Sequence, residues 1–129
     1  MKKALVSIGS RTFRAEVADN VFTRARGLSG RATLAADEAM LFIFPLPWRY
    51  SFWMKGMRFP LDIIWIRKGR VADISENVPA PALGASIVSL AGSGIKPRSA
   101  VDTVFEVNAG LVRKFGIKTG DKVEVVGRR

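Results

Sequence analysis

The sequence predicts a mainly β domain of the α+β class, in which about eight short strands form a mostly antiparallel barrel or sandwich with two short helices. Its 129 residues fit one domain, which we expect to span residues 1–129. Hydrophobic residues make up 48% and charged residues 25%, a mix typical of globular proteins. The apolar segments are short and are separated by glycine, proline and charged turns, as in strand-rich folds.

The first two strands are predicted over Ala4–Ile8 and Thr12–Ala18, joined by a connection of hairpin length. Apolar and polar residues alternate in the second segment, so one face is expected to be buried and the other solvated. Asp19 or Asn20 is placed to cap a short helix, which Gly27 ends.

The middle of the chain supplies the segments expected to lie at the centre of the sheet. Met40–Phe44 is continuously apolar, and Pro45 and Pro47 are predicted to end it because proline cannot donate to a strand ladder. Asn108 is placed to cap a helix that ends before Gly116. Pro79–Gly94 has no clear period and is predicted to be a long loop. The remaining strands are predicted over Tyr50–Met54, Leu61–Ile66, Val71–Val78, Thr103–Val107 and Asp121–Val126.

Six segments, taken in order along the chain, carry a resemblance to a known family. They are Gly27–Arg31, Met40–Phe44, Phe52–Lys55, Pro60–Ile66, Phe105–Gly110 and Gly120–Val123. With these segments the chain resembles the family called domain of unknown function 192 (DUF192). The resemblance implies a compact β-rich domain, exported in some members, with no established activity.

The composition excludes several kinds of chemistry. The chain has no histidine and no cysteine, which removes disulfides, thiolate and imidazole metal ligands, cysteine nucleophiles and the Ser-His-Asp triad. Its net charge of +10 fits either a solvated basic surface or attraction to a polyanion or anionic ligand, and the basic residues are scattered and form no dense stripe. The absence of glutamine favours a hot-growing source.

Two features bear on cellular location. The apolar stretch Ala4–Ile8 is too short for a signal peptide, and the longer apolar run Ala39–Trp48 is interrupted by prolines and too short to span a membrane. We therefore expect a cytoplasmic protein without membrane attachment.

Polar residues set among apolar ones are the candidate site. Trp53 and Lys55 alternate with apolar neighbours, a pattern that fits either a core aromatic beside a solvated lysine or a pocket with an apolar wall and one cation. Asp62 and Glu106 lie inside apolar strands, where an unpaired charge is costly, so we expect each to pair with a cation, most readily Arg31 or Lys55. Glu76 is placed to join this group. No metal site or cofactor is predicted.

Three functions fit these observations. The first is a small-molecule-binding module, suited to an anionic ligand, with its pocket near Phe52–Lys55. The second is weak, sequence-independent binding of nucleic acid or an anionic surface through the net charge. The third is an enzyme that uses paired carboxylates as acid and base. The sequence indicates neither the ligand nor the oligomeric state.

Overall fold

Seven strands and two short helices are formed by the described residues of this computed structural model, which are residues 2–54, 56–81 and 94–128. The predicted loop Pro79–Gly94 lies mostly outside them. In chain order the elements are β1 (Lys3–Ile8), β2 (Arg11–Ala18), α1 (Val21–Arg26), β3 (Glu38–Trp48), β4 (Leu61–Arg67), β5 (Arg70–Val78), β6 (Val101–Asn108), α2 (Leu111–Phe115) and β7 (Val123–Arg128).

One curled sheet contains all seven strands, in the order β5-β4-β6-β3-β2-β1-β7. Every neighbouring pair is antiparallel except β2 and β3, which are parallel. The two edges meet at one corner, where the Val71 N–H donates to the Asp121 carbonyl at 2.9 Å and the Val123 N–H donates to the Gly69 carbonyl at 2.8 Å. The prediction of a mainly β, mostly antiparallel, barrel-like fold is confirmed as a curled half-barrel.

The two faces of the sheet carry separate apolar clusters. One face packs Phe13, Ile64 and Phe105 against residues of and around α2, including Leu111 and Ile117. The other face carries side chains of the strands, among them Phe42 and Trp65, and residues outside the strands pack on it, namely Leu28, Leu34, Met54 and Met57. Strand alternation explains the division, because successive side chains of one strand point to opposite faces.

Two strand predictions are wrong in ways that have a physical cause. Tyr50–Met54 is not a strand; only Phe52 forms a β-bridge, with Ile95. The strand predicted to end at Phe44 continues through both prolines to Trp48. The β3–β6 register is interrupted between Ile43 and Trp48, so no ladder partner requires the N–H that a proline there lacks.

The two helices differ in how they begin. Asn20 caps α1 as predicted: its side chain accepts a hydrogen bond from the Thr23 N–H at 2.9 Å, and Gly27 follows the last turn. The prediction that Asn108 caps the second helix is wrong. α2 starts later, after Gly110, and the Asn108 side chain instead donates to the Leu34 carbonyl. Gly116, in the left-handed conformation, ends α2 as predicted.

Candidate functional site

A cavity of about 660 Å³ opens between α1 and the second face of the sheet. We call it the aromatic cavity. The turn after α1 forms one side, the Tyr50–Trp53 segment forms another, and side chains of β3 and β6 lie at its base. Its lining within the described residues is Arg24, Ala25, Arg26, Gly27, Leu28, Ser29, Phe42, Phe44, Tyr50, Ser51, Phe52, Trp53, Gly56, Met57 and Glu106.

Aromatic rings form much of the wall. Phe44 and Tyr50 stack with their ring centres 3.7 Å apart and their planes 15° apart. Phe42 meets Phe52 edge to face, with ring centres 4.9 Å apart. Trp53 leaves half of its surface exposed. Because interlocked rings restrict one another's rotation, the wall has a fixed shape for a flat apolar group.

Backbone hydrogen bonds hold the Tyr50–Met57 segment in place although it is not a strand. Phe52 exchanges two of them with Ile95, at 2.8 and 2.7 Å. The Gly30 N–H donates to the Gly56 carbonyl at 2.9 Å, which joins the segment to the turn after α1. The Tyr50 hydroxyl donates to the Leu46 carbonyl. These contacts position the aromatic rings without a continuous strand ladder.

Glu106 is the carboxyl group at the base of the aromatic cavity. Glu106 lies on β6 between Met40 of β3 and Ile63 of β4, and only 5% of its surface is exposed. Burial raises the pKa of Glu106 to about 8. Among the described residues, no donor forms a hydrogen bond or ion pair with it. The group is therefore mostly neutral at pH 7 and lines the cavity.

Two arginines bring positive charge to the same cavity. Arg24 donates to the Ile43 carbonyl at 2.9 Å, and its guanidinium carbon lies 5.3 Å from the centre of the Phe44 ring. Arg26 lies two residues further along, at the end of α1, and is exposed. Neither arginine forms an ion pair with an acidic residue in the part of the chain that the structure describes.

Asp62 does not belong to the cavity. It is fully buried on β4 and accepts three backbone N–H groups: Asn77 at 2.8 Å, and Gly110 and Val112 at 3.0 Å each. No lysine or arginine among the described residues is within ion-pair distance of it, so the predicted salt bridge with Arg31 is wrong. Backbone donors satisfy the carboxylate instead of a cation.

Asp62 and Glu106 lie on neighbouring strands but on opposite faces of the sheet. Ile63 is the cross-strand partner of Glu106, whereas Asp62 is the partner of Val107. Directly opposed residues project to the same face and successive residues to opposite faces. Asp62 and Glu106 therefore do not form the carboxylate pair that the enzyme alternative requires.

The other predicted site residues are dispersed. Arg31 pairs with Glu16, and this hydrogen bond lowers the pKa of the glutamate. Glu76 is exposed on the edge strand β5 and does not line the cavity. Lys55 lies outside the described residues. Of the five predicted residues that the structure describes, only Trp53 and Glu106 line the cavity together.

Sequence reasoning missed most of the cavity wall. Arg24, Arg26, Phe44 and Tyr50 were not proposed as site residues, because the position of α1 over the sheet is a tertiary feature. The available signal was the density of aromatic residues between Phe42 and Trp53. Among residues 2–54, 56–81 and 94–128, no three His, Cys, Asp or Glu side chains cluster as metal ligands would. Neither described helix has the length and apolar character needed to cross a bilayer.

Comparison with known proteins places this chain in a family. The chain has no significant match among curated proteins. A solved structure from Novosphingobium aromaticivorans, described as a protein of unknown function, is 31% identical with a TM-score of 0.81, covering 95% of this chain and 84% of that one. A second, from Sinorhizobium meliloti, is described as "a putative transcription regulator"; it is also 31% identical with a TM-score of 0.81, covering 97% and 94%. The family model of DUF192, described as uncharacterized ACR, matches residues 4–125. The chain therefore belongs to the DUF192 family.

Proposed function

We propose that this protein is a small-molecule-binding module whose ligand occupies the aromatic cavity. The observation that carries the proposal is Glu106, a buried carboxyl group that faces the cavity and has no partner among the described residues. Buried polar groups in proteins are almost always hydrogen-bonded, to protein, water or ligand. A ligand in the cavity can form such a hydrogen bond with Glu106.

The cavity has the size and lining of a ligand site. Small-molecule pockets typically have volumes of about 300 to 1,000 Å³, with apolar and aromatic walls and a few polar groups that orient the ligand. The aromatic cavity, at about 660 Å³, lies in the middle of this range. Trp53, half exposed at its edge, offers a flat apolar surface that burial by a ligand would stabilise.

Binding is better supported than catalysis by these groups. Glu106 is the only carboxyl group lining the cavity within the described residues. Acid–base chemistry by paired carboxylates requires a second one within reach, and Asp62 lies on the opposite face of the sheet.

Thermal denaturation of the full chain against a library of metabolites tests the proposal, because a ligand specific to the folded state raises the melting temperature. We expect hits whose shift is lost in Trp53→Ala. Trp48→Ala is the matched control, since Trp48 is an exposed tryptophan that does not line the cavity. Hits that survive Trp53→Ala and disappear in Trp48→Ala would contradict the proposed location, and a library without hits would contradict the proposed function.

Nucleic-acid binding is a second candidate, favoured by the net charge of +10 and by the description of the Sinorhizobium meliloti relative. At least six arginine and lysine residues are already engaged in ion pairs, which reduces the charge free to meet phosphates. We expect weak, sequence-independent binding that falls steeply as salt rises, because released counterions drive it. Filter binding of random duplex and single-stranded DNA at two salt concentrations measures this. Submicromolar binding at physiological salt would favour the second candidate.

A further inference from the structure

We propose that the ligand of the aromatic cavity is a small organic acid with a flat ring and a second polar group at the end opposite its acid group. Arg24 and Arg26 bind the negative charge, the aromatic wall takes the ring, and Glu106 hydrogen-bonds the second polar group. This inference rests on the proposed function and adds the class of ligand.

The charges around the cavity favour an anion. Arg24 and Arg26 are the basic residues lining it within the described chain, and neither is neutralised there by an acidic residue. Glu106 carries little negative charge at pH 7, because burial raises its pKa to about 8. The neighbours of Glu106 on β3 and β4, Met40 and Ile63, are apolar. The cavity is therefore positively charged at neutral pH.

A cationic ligand would face two costs in this cavity. It would approach the two arginine side chains against electrostatic repulsion. It would also need Glu106 to lose its proton before an ion pair formed, and below the pKa of about 8 this deprotonation costs free energy. The O–H of a neutral Glu106 is instead ready to donate a hydrogen bond to a ligand oxygen.

The polar groups of the cavity lie at different levels along β3. Glu106 is the cross-strand partner of Met40, and Arg24 donates to the carbonyl of Ile43. These two positions are three residues apart on β3, or about 10 Å. A ligand that meets both therefore needs polar groups at opposite ends of its ring.

The surface between the two polar ends matches a flat ring. Phe42 lies on β3 between the levels of Glu106 and the Arg24 contact, and Phe44 follows on the same face beyond that contact. Phe52 packs edge to face against both rings. Aromatic side chains in this arrangement favour another ring over a flexible chain, because ring pairs gain energy beyond burial of their area.

Calorimetric titration of the full chain with four related probes tests the inference. They are 4-hydroxyphenylacetate, phenylacetate, tyramine and 4-ethylphenol. Relative to the first probe, phenylacetate lacks the hydroxyl, 4-ethylphenol lacks the carboxylate, and tyramine carries an ammonium group in place of the carboxylate. We expect 4-hydroxyphenylacetate to bind most tightly, with about tenfold weaker binding when either its carboxylate or its hydroxyl is absent. Its affinity should fall between about pH 6.5 and pH 9, as Glu106 ionises and opposes the acid.

Two variants assign the two ends. Arg26→Met should lower the affinity for both carboxylate probes about tenfold. Arg113 is an exposed arginine of α2 outside the cavity, and Arg113→Met should leave these affinities unchanged. Glu106→Leu should remove the preference for 4-hydroxyphenylacetate over phenylacetate. The melting temperature of each variant verifies that it is folded.

The outcomes separate this inference from the proposed function. Tighter binding of tyramine or 4-ethylphenol than of either carboxylate would overturn the acid class and leave the cavity as a binding site. Equal affinities in Arg26→Met and wild type would also overturn it. If none of the four probes binds, the inference fails, and the metabolite screen alone decides whether the cavity binds a ligand.

Discussion

The carboxylate of Asp62 connects three elements through backbone donors. It accepts the N–H groups of Gly110 and Val112 at the start of α2 and that of Asn77 in β5. Asn77 has a φ of 53°, a left-handed conformation that few residues other than glycine adopt readily. The hydrogen bond from Asn77 to Asp62 helps to hold that conformation, and α2 receives from β4 the acceptor that a capping side chain would otherwise supply.

We predict that Asp62→Asn lowers the free energy of unfolding by about 3 kcal/mol, because an amide replaces one acceptor oxygen with a donor that faces N–H groups. Urea denaturation measures the change. Glu76→Gln is the matched control: Glu76 is an exposed acid on the neighbouring strand, and its substitution should stay within about 0.5 kcal/mol of wild type. Equal stability of the two variants would mean that the three N–H groups do not depend on the carboxylate.

Glu106 predicts an unusual dependence of stability on pH. Its pKa is raised from 4.5 to about 8 in the folded protein, so between these values the folded state binds more protons than the unfolded state. Stability contributed by this group is therefore present below about pH 4.5 and is lost as pH rises through about 8, by up to about 1.4 kcal/mol per pH unit. Urea denaturation at several pH values across this window measures the slope.

Glu106→Gln should flatten this slope, because the amide does not titrate. The variant should be more stable than wild type at pH 8 and should lose that advantage toward pH 5. Parallel pH profiles of the variant and wild type would show that Glu106 does not titrate with a raised pKa.

The burial of both carboxylates was predictable, but the backbone donors that hydrogen-bond Asp62 were not. Apolar residues flank Asp62 and Glu106 in the sequence, and that pattern correctly indicates buried strands. The sequence does not distinguish one backbone N–H from another, so the contact between Asp62 and Gly110, 48 residues away, left no signal. The placement of Asp62 and Glu106 on opposite faces of the sheet follows from the register of β4 against β6. Apolar segments of similar composition do not specify that register.

At the scale of the element, α1 depends on its ends. It has only six residues, which is too short for stability by helix propensity alone. Asn20 and Thr23 form a reciprocal capping box, and Gly27 closes the last turn with an N–H bond to the Thr23 carbonyl at 3.0 Å. Arg24 and Arg26 reach the aromatic cavity only if this helix is formed.

We therefore predict that Asn20→Ala destabilises the protein by about 1 kcal/mol and also weakens ligand binding at the cavity. Thermal denaturation and titration with the ligand from the screen measure the two effects. Thr33→Ala, at an exposed position outside α1, should change neither. A loss of stability without any change in affinity would show that α1 does not set the positions of its arginines.

The elements that sequence patterns located well are those with simple alternation and clear turns. β2 and β5 begin and end within one residue of their predicted bounds. A strand was wrongly predicted over Tyr50–Met54 because aromatic residues favour strands. Here the same residues line a cavity, and Phe52 alone joins a neighbour by bridge hydrogen bonds. Local propensity does not separate these two uses of an aromatic side chain.

At the scale of the whole molecule, the order of strands follows from contacts between distant parts of the chain. β6 lies between β3 and β4, and β7 lies beside β1. Any of the buried apolar segments fits either neighbour by composition, so the sequence predicted the class of fold and not this order. The seam between Gly69–Val71 and Gly120–Val123 is likewise a product of sheet twist, which brings the edges together.

The pairing of β1 with β7 has a consequence for how the chain folds during synthesis. Ala4 is the cross-strand partner of Arg128, so β1 cannot complete this pairing until β7 has been synthesised. Until β7 emerges from the ribosome, β1 has an unpaired edge that is open to other chains. A circular permutant that joins residue 128 to residue 3 by a short linker and opens between Arg58 and Phe59 makes this pairing local and keeps β2 and β3 close in sequence. We expect it to refold faster than wild type in stopped-flow experiments, because local contacts form with a smaller loss of chain entropy. Unchanged refolding rates would contradict this expectation and place the β1–β7 pairing after the rate-limiting step.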